Sequence, residues 1–183
     1  MTQFLIRCFI KHPDDVKNAA VRTAYGNLAS LVGVACNLLL CLGKLTAGTL
    51  FGSIAIMADA LNNLSDASSN VVSLIGFKLA AKAPDAEHPY GHARYEYLAG
   101  LVVSVTILAI GFSLLKESVV KVLHPTQVVF SWLTVGILVV SILVKLWMSG
   151  FNRTVGRKIG SETLMATAAD SRNDVLTTGA VLL

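Results

Sequence analysis

Charged residues punctuate this chain at long intervals, and the apolar stretches between them are its clearest signal. Residues 23–43, 45–58, 97–115 and 125–144 contain no Asp, Glu, Lys or Arg. A helix that crosses a bilayer needs about 20 predominantly apolar residues, so the pattern predicts spans at about 26–48, 97–119 and 127–150. Two further segments, 54–81 and 164–183, have the same length but carry acids. The first contains Asp59 and Asp66, the second Asp170 and Asp174. Their length and flanks make them spans two and five.

The connections follow from the breakers. Gly52-Ser53 predicts a tight turn, and KAPDAEHPYGHAR at 82–94, with Pro84, Pro89 and Gly91, predicts a loop. His124-Pro125 is expected to end span three, and residues 152–161 to join spans four and five. The expected fold class is therefore an all-α integral membrane protein, a transmembrane helix bundle. A cytoplasmic N-terminal segment covers residues 1–25 and the transmembrane domain covers 26–183. The patch from Phe4 to Ile10, interrupted by Arg7, is too short and too charged for a signal peptide or a span. The last residues, Val181-Leu182-Leu183, lie inside an apolar run, so further chain is expected beyond them.

Composition narrows the class. Of 183 residues 54% are apolar and only 14% are charged, against about 25% charged in a soluble domain. The formal net charge of +4 does not point to nucleic acid, because the basic residues sit in short clusters without interleaved aromatics. They read instead as topology signals. Arg7, Lys11, Lys17 and Arg22, then Lys78, Lys82 and Arg94, then Arg153, Arg157 and Lys158 fall on one side; Lys116 and Lys121 fall on the other. The expected placement is a multi-pass protein of the cell membrane with a cytoplasmic N-terminus. Cys8, Cys36 and Cys41 form no CxxC and no even pairing, and are read as small apolar side chains.

The acids inside the spans carry the chemistry. One Asp at the centre of a spanning helix costs on the order of 3 kcal/mol, so these side chains must face each other, water or a cation. Asn62 and Asp66 are four apart and project from one helix face, as do Asp170 and Asp174. Two such faces brought together offer three carboxylates and a carboxamide oxygen, a divalent-cation site. Against this stand an internal ion-pair network of Asp170 and Asp174 with Arg172, and interhelical hydrogen bonds from Asn62 and Asn63. Asp59 is read as an approach-path or structural acid. Lys44 and Lys145 are expected to snorkel or to pair with an acid, and receive no chemical role.

An all-oxygen site favours hard ions such as Mn²⁺, Mg²⁺ or Fe²⁺, although affinity still rises from Mn²⁺ towards Zn²⁺. In the loop, Asp85, His88 and His92 have the character of ligands for Zn²⁺ or a similar ion, the alternative being a solvated turn. His12 and His124 stand alone and are given no role. An intramembrane aspartyl protease needs one catalytic Asp from each of two helices, whereas here the acids are same-helix pairs accompanied by an amide. No enzyme is expected, and no resident cofactor.

With these residues in place, the chain resembles the cation diffusion facilitator family. The matching stretches are YGNLASLVGVACNLLLCLGKLTAGTLFGSIAIMADALNNLSDASSNVV, HPYGHARYEYLAG, ESVVKVLHP and AADSRNDVLTT, which together reach from Tyr25 to near the end. The resemblance implies a homodimeric secondary transporter of six transmembrane helices and a cytoplasmic C-terminal domain, exporting a divalent metal ion in exchange for protons. Five of the six helices are present here. It places the transport site on Asn62, Asp66, Asp170 and Asp174 and a loop metal site on Asp85, His88 and His92. Zinc-transporting members typically carry a His in the tetrad. This set has none and is similar to that of manganese-exporting members. The partners implied are a divalent cation (Mn²⁺ first, with Zn²⁺, Fe²⁺ or Cd²⁺ as alternatives), protons, the lipid bilayer and a second copy of the chain, and no nucleic acid. A non-transporting membrane metal-binding scaffold is the remaining alternative.

Overall fold

The structure is a computed structural model that describes residues 2–10, 13–16, 18–50, 52, 54–123 and 132–182. His12, Ser53, His124-Pro125 and the start of the expected span at 127 lie outside the described residues. The described residues form six helices: α1 (Thr2–Phe9), α2 (Ala19–Leu50), α3 (Ile54–Ala80), α4 (Arg94–Leu123), α5 (Trp132–Ile159) and α6 (Glu162–Leu182). It is an all-α membrane helix bundle.

The bundle is inverted relative to a soluble protein. Leu31, Leu39, Leu42, Leu101, Leu108, Phe112 and Leu143 are all more than half exposed, while Asn63, Asp66, Asn70, Ser73, Lys145 and Ser171 are buried. An apolar exterior around a polar interior is what a hydrocarbon solvent selects, since leucine gains nothing by leaving lipid whereas an unpartnered polar group there is costly. Among the described residues, three helices are long and apolar enough to cross a membrane: α2, the first twenty residues of α4, and α5 from Val135. Helices α3 and α6 are the polar ones, and they carry the acids.

Close approach of α2 to α3 rests on missing side chains. A Cβ at Gly26 would overlap the Phe77 ring, and one at Gly33 would overlap the Asn70 carboxamide. These positions are seven residues apart on both helices, two turns of a shared seam. The Asn70 carboxamide donates from Nδ2 to the Asp66 carbonyl at 2.8 Å, so the seam abuts the acid-bearing turn.

The α5–α6 connection is shorter than the sequence predicts. Residues 152–161 do not form a connector; α5 continues to Ile159, and only Gly160 and Ser161 separate it from α6. The polar-looking segment is amphipathic. Phe151, Val155 and Ile159 recur every four residues and are buried, while Arg153, Thr154, Arg157 and Lys158 are exposed. Gly160 has φ +62°, and the Ser161 N–H donates to the Gly156 carbonyl at 2.9 Å, the closing bond of a Schellman C-cap. The Ser161 hydroxyl then accepts from Leu164 N–H at 3.4 Å and caps α6. One serine ends one helix and begins the next, which folds α6 back along α5.

The hydrophobic core sits at that end. Tyr25, Phe77, Phe151, Val155 and Leu164 meet there, and Ile6 and Ile10 of the N-terminal segment pack onto them. The sequence does not mark α1 as a helix; it docks here through Ile6, with Ile10 just past its end. Arg22 pairs with Glu96 at 2.7 Å and donates from Nε to the Ile159 carbonyl at 3.0 Å, tying α2, α4 and α5 together.

Candidate metal centre

The midpoint of the bundle is polar on three helices. Asp66 lies near the middle of α3, Lys145 near the middle of α5, and Asp170 and Asp174 on successive turns of α6. The tight α5–α6 hairpin sets α6 beside α5. The Ser149 hydroxyl bonds the Ala168 carbonyl at 2.8 Å, which fixes how far the two helices slide past each other.

Asp66, Asp170 and Asp174 converge: each offers a carboxylate oxygen, and these atoms lie within 4.8 Å of one another. Asp66 is buried at 3% exposure, and the other two are half-buried. Asn62, one turn from Asp66, lines a cavity of about 20 Å³ together with Asp174 and Lys145. The four residues singled out in the sequence therefore share one locality, on two facing helices. Asn63 does not bond between helices; its Nδ2 donates to the Asp59 carbonyl of its own helix at 2.9 Å.

Of the cations considered from sequence, Lys145 rather than Arg172 meets these carboxylates. Arg172 is exposed. Lys145 instead places its ammonium 2.6 Å from Asp66 Oδ2 and 2.6 Å from Asp174 Oδ2. Lys44 does the same on a smaller scale, meeting Asp59 Oδ2 at 2.8 Å, and both residues line the same small cavity. Both lysines thus pair with acids, one of the two outcomes expected from sequence; sequence spacing does not reveal that Lys145 spans two carboxylates, nor does it single out the hydroxyl of Ser141 one turn before it. The signal for Lys145 was present. A lysine midway along an apolar helix demands a partner for the same reason an aspartate does.

The loop cluster is also assembled. Asp85 Oδ1 accepts from the backbone N–H of Glu87 at 3.1 Å and of His88 at 2.7 Å, an Asx turn that folds the loop on itself. His88 Nδ1 lies 3.2 Å from Asp85 Oδ1, and His92 Nε2 lies 3.4 Å from Asp85 Oδ2. The His88 amide bond in particular, helped by the two imidazoles, holds the Asp85 carboxyl below the usual carboxylate range. His92 is buried, stacks on Tyr95 with ring centroids 5.7 Å apart, and has an Nδ1 without a hydrogen-bond partner. Gly91 at φ +80° turns the chain so that both imidazoles reach the same carboxylate. The two clusters differ in kind: the central one is all oxygen and suits hard ions, whereas the loop mixes imidazole and carboxylate.

Comparison with known proteins gives a consistent picture. The cation efflux transmembrane domain matches residues 30–183. Uncharacterized transporter MJ0449 of Methanocaldococcus jannaschii is 33% identical over 156 residues, covering 85% of this chain and 54% of that protein. Manganese efflux system protein MneS of Bacillus subtilis is 35% identical over 153 residues, covering 81% of this chain and 51% of that protein. Uncharacterized transporter YdbO of the same organism is 32% identical over 153 residues, with the same coverage of 81% and 51%. The chain thus spans about half the length of the curated relatives it matches.

Proposed function

The chain belongs to the cation efflux family, the cation diffusion facilitators it resembles, and from that footing we propose that it exports a divalent metal cation, Mn²⁺ first, in exchange for protons. The observation that carries this reading is the meeting of Asp66, Asp170 and Asp174 within 4.8 Å at mid-bundle, with Asn62 beside them. We assign these four residues as the transport site. The end bearing α1, Arg22 and the Gly160 turn is cytoplasmic in this reading. The transporter works as a homodimer in the cell membrane. Asp85, His88 and His92 form a second metal-binding position at the cytoplasmic end.

Coupling follows from competition. Metal ions and protons require the same carboxylate oxygens, so metal binding releases protons and proton binding weakens the metal. A site that alternates between two faces then turns an inward proton gradient into outward metal movement without ATP. Oxygen-only ligands favour a hard ion, and the name of the manganese efflux relative agrees with that choice. Zn²⁺, Fe²⁺ and Cd²⁺ are the competing cargoes.

The test uses full-length protein in proteoliposomes that enclose a metal-sensitive dye, with an imposed pH gradient. Mn²⁺ flux should follow the gradient in wild type and collapse in Asp66→Ala and Asp174→Ala. Flux in either variant equal to wild type would overturn the assignment of the site. Metal flux indifferent to the pH gradient would overturn proton exchange.

A further inference from the structure

The central acids already hold a cation, supplied by the protein itself. The Lys145 ammonium sits between two of the three carboxylates, 2.6 Å from an oxygen of each, on a side chain 5% exposed. A divalent ion held by these carboxylates would sit about 2.0–2.6 Å from their oxygens, and therefore within a few ångströms of the ammonium. Two cations that close, on the same two carboxylates, repel strongly in a poorly screened interior. That repulsion sets the ammonium and the metal in competition for Asp66 and Asp174.

The structure also contains a second seat for the ammonium. Ser141 lies one turn before Lys145 on α5, on the same face, and helical side chains lean towards the N-terminus, here towards Ser141. Ser141 is 2% exposed and Asn63 is 1% exposed. Both Ser141 Oγ and Asn63 Oδ1 lack a hydrogen-bond partner, and both residues line the small cavity that Lys145 and Asp174 also line. Buried acceptors without donors are rare. These two stand where a displaced ammonium would arrive. Charge balance supports the exchange: three ionised carboxylates and one ammonium leave a formal charge of −2, which one divalent ion neutralises.

We propose that Lys145 is a tethered competitor of the transported metal. Metal arrival moves its ammonium from Asp66 and Asp174 to Ser141 Oγ and Asn63 Oδ1, and metal departure lets it return. This rests on the reading of Asp66, Asp170 and Asp174 as the transport site, and it gives that site a device for release. An ammonium waiting within reach lowers the affinity for metal and speeds its departure, and it keeps α3, α5 and α6 joined after the metal has left.

The experiment measures Mn²⁺ binding calorimetrically at fixed pH and ionic strength on the full-length protein, and Mn²⁺ flux in proteoliposomes. Lys145→Gln should bind Mn²⁺ at least tenfold more tightly, with KM and maximal flux both reduced. Lys145→Arg, which keeps the charge, should stay near the wild-type affinity. Ser141→Ala removes the second seat and should shift affinity the opposite way, weakening Mn²⁺ binding several-fold. Unchanged or weaker binding in Lys145→Gln overturns the proposal. If that variant does not fold, Ser141→Ala decides alone: weakened binding supports the exchange, and unchanged binding overturns it. Failure of the underlying reading is distinguishable, because Asp66→Ala would then leave Mn²⁺ binding intact.

Discussion

The seam between α2 and α3 allows a sharp test of how packing supports the metal centre. Replacing Gly33 with Ala adds one methyl group where the Asn70 carboxamide already stands. Overpacking a filled interior costs about 1–3 kcal/mol. Moving Asn70 also breaks the 2.8 Å bond from its Nδ2 to the Asp66 carbonyl, and a buried donor left without a partner costs about 1–3 kcal/mol more. Against this, alanine is a better helix former than glycine by up to about 1 kcal/mol. The net expectation for Gly33→Ala is destabilisation by roughly 1–5 kcal/mol. Gly43 lies on the same helix, and a Cβ there meets nothing within 4 Å. Gly43→Ala should therefore be neutral or stabilising by up to about 1 kcal/mol. Equilibrium unfolding of full-length protein in mixed micelles compares the pair directly, and Mn²⁺ flux reports whether the shifted Asn70 disturbs Asp66. A Gly33→Ala/Asn70→Ser double variant should recover most of the loss. Equal effects of Gly33→Ala and Gly43→Ala would refute the claim that α2 and α3 are held at glycine distance.

Three further outcomes follow from the geometry. Glu96→Gln removes the partner of Arg22; because the Arg22 side chain is 35% exposed, the loss should be about 1–2 kcal/mol rather than the 3–5 kcal/mol of a fully buried pair, read by the same unfolding assay. Asp85→Ala and His92→Ala should each remove one Zn²⁺ equivalent per chain in equilibrium dialysis while Mn²⁺ remains bound at the centre, and unchanged Zn²⁺ stoichiometry would mark the loop as a solvated turn. Asn62→His adds an imidazole to an all-oxygen set and should raise the Zn²⁺-to-Mn²⁺ flux ratio about tenfold, equivalent to about 1.4 kcal/mol of differential binding.

The class, the polar pairs and much of the helix order are legible in the sequence. Those follow from one-dimensional quantities: the length of uncharged runs, the i, i+4 spacing of Asn62 with Asp66 and of Asp170 with Asp174, and the breakers at 82–94. It misjudged residues 152–161 because arginine, asparagine and glycine resemble a loop in composition. The apolar period of Phe151, Val155 and Ile159 was the better guide, and it turns α5 into a longer helix with a two-residue hinge. It could not show that α1 docks, since two isoleucines acquire meaning only against Tyr25 and Val155.

Which cation meets the carboxylates is a matter of helix packing. Arg172 stands between Asp170 and Asp174 in the chain, yet a residue two positions away on a helix points elsewhere, and Arg172 is exposed. Lys145 is 79 residues from Asp66 and 29 from Asp174. It reaches both because the Schellman cap at Gly160 and the N-cap at Ser161 fold α6 back along α5. Spacing along a helix fixes which side chains share a face, but which faces meet depends on how helices pack. Here the glycine seam of α2 on α3 and the two-residue hinge after α5 made that choice.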